Sequence, residues 1–85
     1  MPTSSRFVVA VHTLAALAVN EGTPMRSEDL ARSASTNPAV IRSLLSRLAD
    51  AGMSTARMGS GGGAMLAKSA SRISLLDVYR AVEDC

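Results

Sequence analysis

The sequence has no tryptophan, a single phenylalanine (Phe7), a single tyrosine (Tyr79) and a single cysteine (Cys85). With so few aromatics, a fold dominated by strands is disfavoured, because strands draw on aromatic and β-branched side chains. One thiol forms no internal disulfide and builds no metal site by itself, which suits a reducing compartment. No stretch approaches the roughly 20 apolar residues of a membrane span. The start, where Arg6 precedes the apolar residues 7–11, lacks the cleavage pattern of a signal peptide. The chain is therefore expected in the cytoplasm, with no membrane partner. Charge of one sign is also scarce: nine basic residues stand against seven acidic, a net +2. That balance alone names no partner.

What the sequence does contain is alanine, leucine, valine and methionine, in a chain that is 47% hydrophobic. Alanine, leucine and methionine lose little freedom in helices. At 85 residues the chain is one domain spanning 1–85, which buries only about 60–65% of its unfolded surface. Eight of the nine basic residues are arginine, the side chain whose planar fork matches phosphate and guanine.

Periodicity divides the chain into elements. Ser4 and Ser5 are candidate N-caps for a first helix ending near Asn20. In it Phe7, Val8, Val11, Leu14, Ala15 and Ala18 share one face, while Val9, Ala10, Ala16 and Leu17 lie elsewhere on the wheel. A helix apolar on most sides usually has a second surface to bury, and a partner subunit is the simplest candidate. Residues 21–24, Glu-Gly-Thr-Pro, break it. Ser27 is placed to cap a second, short helix, with Glu28 and Asp29 in its first turn and Leu30, Ala31 and Ala34 inward.

After a brief turn at Ser35 and Thr36, Asn37 and Pro38 supply an N-cap and an N1 proline for a third helix. Its stripe is Ile41, Leu44, Leu45 and Leu48, and Gly52 is the natural stop. Two helices joined by so tight a turn predict a helix-turn-helix. Residues 53–58 and 64–67 are short strand candidates on either side of Gly59-Ser60-Gly61-Gly62-Gly63. A glycine-tipped hairpin there is a wing. Residues 68–72 are a polar connection. Ser74 and Asp77 form a capping-box-like start to a last helix, whose apolar side is Leu75, Leu76, Val78, Tyr79 and Val82. The predicted class is mainly α with a small β-hairpin, a winged helix-turn-helix, with no internal repeat.

The third helix carries the strongest functional signal. Opposite its apolar stripe lie Ala39, Ser43 and Ser46, flanked by Arg42 and Arg47. Small and polar residues let a helix sit deep in the major groove, where arginine reaches guanine O6 and N7. Thr36, Asn37 and Ala39 lie at the N-terminal end, the one that usually approaches base edges. One arginine-bearing helix face, taken alone, is more often ordinary solvated surface. The short helix, tight turn and wing around it shift the balance toward double-stranded DNA. Arg57 sits where the first wing strand meets the glycines, which allow close backbone approach to phosphate, though they also simply close a hairpin.

Enzymatic readings find little support. The glycine run is followed by no Gly-Lys-Ser/Thr, so it is no P-loop, and no serine sits in a nucleophile elbow. His12 has no carboxylate or second histidine at ligand spacing. A helix-surface or core-edge histidine is the simpler reading. No cofactor, metal or small-molecule ligand is indicated. A winged-helix module for protein–protein contact without nucleic acid is the main alternative, and such modules usually lack arginines like Arg42, Arg47 and Arg57.

Several segments, in order, resemble the Rrf2 family of bacterial winged-helix regulators. They are Ser5-Arg6-Phe7, Asp29-Leu30-Ala31, Leu48-Ala49-Asp50-Ala51-Gly52, the glycine wing, and Ile73-Ser74-Leu75-Leu76-Asp77-Val78-Tyr79-Arg80-Ala81-Val82-Glu83. The resemblance covers essentially the whole chain. It implies a homodimeric transcription factor, usually a repressor, acting on the nucleoid. Helix 37–51 would enter the major groove, and wing 53–67 would lie on the backbone or minor groove. The DNA-contact set it implies, together with the basic residues above, is Ser5, Arg6, Thr36, Asn37, Ala39, Arg42, Ser43, Arg47, Arg57, Ser60 and Gly61. Ser60 and Ala64 depart from the proline and aromatic common in the family's wing. The cysteines by which many members hold an iron–sulfur cluster, and the long dimerisation helix, would follow Cys85.

Overall fold

The computed structural model describes residues 2–83, so Cys85 lies outside the described residues. The order is α1 (Pro2–Val19), α2 (Ser27–Ser33), α3 (Pro38–Asp50), β1 (Ser54–Arg57), β2 (Gly63–Leu66), a 3-10 turn (Ala70–Arg72) and α4 (Leu75–Glu83). This is the expected mainly helical fold with one hairpin.

The first helix departs from expectation at its start and in its facing. It begins at Pro2, a residue whose fixed φ suits a first turn, so positions 4 and 5 fall inside the helix and not at its N-cap. Its core face is Ala10, Thr13, Leu14 and Leu17, all buried. Val8 is 60% exposed, and Ala15 is exposed as well. The buried stripe was hidden because its fully buried Thr13 counts as polar. In the structure its hydroxyl donates to the Val9 carbonyl at 2.8 Å, so the group is satisfied within the helix.

The second helix starts at Ser27 with Arg26 as the N-cap residue, and no side chain caps it. Ser27 therefore does not play the expected role. Just before it, Met25 forms an antiparallel bridge to Ala64, with N–O distances of 2.9 and 2.8 Å. That bridge fixes how the chain enters α2, and it fastens the wing to the helix-turn-helix. A Cβ on Gly63 would meet the Met25 carbonyl oxygen at 2.5 Å, so glycine is required where the strands close.

Both helices of the helix-turn-helix end in a Schellman motif. Thr36 N–H bonds to the Ala31 carbonyl at 2.9 Å and Ser35 N–H to Arg32 at 3.3 Å. Met53 N–H bonds to Leu48 and Gly52 N–H to Ala49, each at 2.9 Å. The left-handed position after α3 is Gly52, at φ 79°, but after α2 it is Ser35, at φ 57°. Glycine tolerates this geometry freely, whereas an L side chain pays for it. Asn37 caps α3 as expected, its Oδ1 accepting the Val40 N–H at 3.0 Å. Leu48 and Met53, the C3 and C″ residues of the second motif, are both buried, which is the apolar contact that accompanies it.

The core gathers Leu17 from α1, Leu30 from α2, Ile41, Leu44 and Leu48 from α3, Met53, and Val82 from α4. Strands β1 and β2 pair antiparallel from Ser54↔Leu66 to Arg57↔Gly63. At α4, Asp77 N–H bonds to Ser74 Oγ at 3.0 Å and Ser74 N–H to Asp77 Oδ2 at 3.2 Å. These are the reciprocal bonds of a capping box. Only Val78 and Val82 of α4's expected apolar side are buried. Leu75, Leu76 and Tyr79 are 63%, 56% and 50% exposed. Tyr79 meets Phe7 edge to face, with ring centroids 5.8 Å apart.

Candidate nucleic-acid interface

The outward side of α3 follows from its inward one. With Ile41, Leu44 and Leu48 buried, a period of 3.6 residues puts Ala39, Ser43 and Ser46 opposite the core, and all three are exposed. The strip is smooth, because no side chain on it is longer than serine's. The arginines border it on two sides. Arg42, Leu45, Ser46 and Ala49 form one wall of a groove whose other wall is Thr55, Ala56 and Arg57 of the wing. On the opposite flank, Ala39, Val40, Ser43 and Arg47 share a concavity with Arg6 of α1. The fold thus brings Arg42 together with Arg57, and Arg47 with Arg6.

Arg6 is held in place. Its Nη1 donates to the Val82 carbonyl at 2.8 Å, at the C-terminal end of α4, where the helix dipole favours a cation. Arg42, Arg47 and Arg57 are exposed. The ion pairs among the described residues are Arg26–Glu28 at 3.8 Å and Arg32–Asp29 at 3.2 Å. Neither involves those three arginines.

The remaining expected site residues are more dispersed. Thr36 is half-buried in the turn and Asn37 is committed to capping. Ser5 is exposed in the first turns of α1, and Ser60 and Gly61 are exposed at the wing tip. None of these five lines either groove. Sequence reasoning missed Met25, Ser27 and Thr55, which line the wing-side groove. Thr55, as an exposed position of β1, was within reach of strand alternation. Met25 was not, because nothing in residues 21–26 announces a bridge to Ala64.

His12 Nε2 lies 2.8 Å from Ser33 Oγ, a link between α1 and α2 that gives this histidine a structural role. Among the described residues no three of histidine, cysteine, aspartate and glutamate cluster as metal ligands do. Among the described residues no helix is long and apolar enough to cross a membrane.

A short helix, a tight turn, a helix with a smooth cationic-edged outer face and a glycine-tipped hairpin define the winged helix-turn-helix class. Residues 3–85 match the Rrf2 family, described as iron-dependent transcriptional regulators, and the chain belongs to that family. It is a family of transcriptional regulators and not of enzymes. YwnA of Bacillus subtilis (strain 168), named as an HTH-type transcriptional regulator, is 45% identical over 94% of this chain and 58% of its own length. The structure of CymR, the global cysteine regulator of B. subtilis, superposes with a TM-score of 0.87 at 22% identity, covering 94% of this chain and 63% of that one. That of T. potens IscR gives 0.82 at 23% identity, covering 89% and 56%. At such identities these two structures speak for the fold alone. The chain spans a little under two thirds of these relatives' lengths. The family's description invokes iron, but the described residues offer no ligand set for it.

Proposed function

We propose that this chain binds double-stranded DNA as a homodimer and acts as a transcriptional repressor, with α3 in the major groove. The observation that carries the proposal is the arrangement of arginines around α3. A helix seated in the major groove has a sugar–phosphate strand on each side. Here the smooth strip of Ala39, Ser43 and Ser46 faces the groove floor. The Arg47–Arg6 flank meets one strand, and Arg57, across the wing-side groove, meets the other, while Arg42 on the helix wall of that groove reaches base edges. The wing continues past that second strand toward the backbone or minor groove. Asn37 and Thr36 stand at the end of α3 nearest the bases.

The dimer is supported by the outer face of α1 and its neighbours. Val8, Val19, Leu75 and Tyr79 are between 50% and 84% exposed. A second copy related by two-fold symmetry would cover such a surface and set two half-sites about one helical turn apart. The test is a gel shift on mixed genomic fragments at low salt. The wild-type protein is expected to retard a subset of fragments, and a variant with Arg42 and Arg47 both changed to Ala is expected to retard none. Equal retardation by both proteins would refute the assignment of α3.

A further inference from the structure

The wing carries two long side chains near its tip, and they differ in kind. Arg57, the last residue of β1, lines the groove facing α3. The next residue, Met58, does not line that groove and is 87% exposed. Beyond it the tip is Gly59, Ser60, Gly61, Gly62 and Gly63, with nothing longer than a serine hydroxymethyl. Whatever the outer edge of the hairpin meets, Met58 is the side chain that reaches it. Nothing described in the chain packs against it, and an apolar side chain gains nothing from standing in water. Its unbranched, flexible thioether can follow a narrow, irregular slot.

We propose that Met58 enters the DNA minor groove and there selects A·T over G·C base pairs. The inference rests on the DNA-binding reading above. With Arg57 turned toward the phosphate strand beside α3, the neighbouring side chain on the outer edge lies across that strand, where the minor groove opens. Methionine is among the apolar residues that proteins insert into DNA from the minor-groove side. The selection follows from hydrogen bonding. The minor-groove floor of A·T pairs shows only acceptors, whereas G·C adds the guanine 2-amino donor. A methionine side chain donates no hydrogen bond and accepts only weakly, so it strips water from the acceptors of either pair alike. On G·C it must in addition desolvate the 2-amino group that fills the groove floor, which is the extra cost.

The test compares duplexes sharing one bound site but differing in the step beneath the wing: A·T, G·C, or inosine·C, which lacks the 2-amino group. Binding is measured with the whole chain by fluorescence anisotropy. Wild type is expected to bind the A·T and inosine·C duplexes alike and the G·C duplex several-fold more weakly. Met58→Ala should lose about fivefold on the A·T duplex, as expected for uncovering part of one methionine side chain, and should no longer discriminate. Met58→Leu should retain most of both properties. The salt dependence should be the same for all three proteins, because no charge changes. Equal affinity of wild type and Met58→Ala, or a G·C penalty that inosine does not relieve, overturns this inference while leaving DNA binding intact. Failure of the wild-type protein to bind any duplex overturns both.

Discussion

The guanidinium of Arg6 donates to the backbone carbonyl of Val82 at 2.8 Å, joining the first turns of α1 to the last turn of α4 across 76 positions of sequence. The bond gives the Val82 carbonyl a charged donor. It also holds the Arg6 head beside Arg47 and Ser43. One residue thereby serves the fold and the cationic flank of α3.

Changing Arg6 to Ala should therefore lower stability by about 1–2 kcal/mol, the usual worth of a charge-assisted bond at a helix end. Arg6→Lys should recover only part of it, because lysine cannot reproduce the planar fork. Chemical denaturation of the three proteins checks this. A stability loss within error of zero for Arg6→Ala would mean the bond does not persist in solution.

Ser35 offers the opposite effect. It occupies the left-handed position after α2 at φ 57°, which costs an L-residue on the order of 1 kcal/mol relative to glycine. Ser35→Gly should raise stability by about 0.5–1 kcal/mol, the strain relieved exceeding the entropy glycine adds to the unfolded chain. DNA affinity should be unchanged. Thermal melts would expose an error if the variant were less stable than wild type.

The capping box at α4 predicts a response to acid. Hydrogen bonds from the Ser74 backbone, and then from its side chain, lower the Asp77 carboxyl below its ordinary value of 3.8. A depressed folded-state value means the carboxylate stabilises the fold above the unfolded-state value. That contribution is lost as pH falls below about 3.8 and through the folded-state value. Asp77 is fully exposed, so the effect is confined to the start of α4 and is small. An NMR titration of the Asp77 carboxyl should give a midpoint below 3.8, and Ser74→Ala should move it back up. A wild-type midpoint at or above 3.8 would contradict the bond pattern.

Much of this fold could be seen in the sequence where one residue dictates one local geometry. Asn37-Pro38, Gly52 and the Ser74/Asp77 pair each mark a helix end through their own backbone chemistry, and each behaves as its type implies. The errors arose where the deciding interaction was distant. The face of α1 turned on Thr13, whose polarity is satisfied inside the helix. The entry to α2 turned on Met25 pairing with Ala64, 39 positions away. Leu75, Leu76 and Tyr79 carry an apolar pattern that this chain, by itself, leaves exposed. For the candidate site, helical periodicity was enough to place Ala39, Ser43 and Ser46 outward. The pairing of Arg42 with Arg57 and of Arg47 with Arg6 required the tertiary fold.

The central claim, that the arginines around α3 hold duplex DNA, is tested most directly by the salt dependence of binding in wild type and two single variants. Each arginine–phosphate contact releases counterions, so about 3–5 contacts per subunit give a log–log slope of about −3 to −5 for each subunit bound. Arg57→Ala should weaken preferred and random duplexes by similar factors and make the slope shallower by about one unit. Arg42, in the first turns of α3, is expected to reach base edges, so Arg42→Ala should cost about 1–3 kcal/mol on the preferred duplex and little on random DNA. A wild-type affinity that does not change with salt, or that neither substitution alters, would contradict the account.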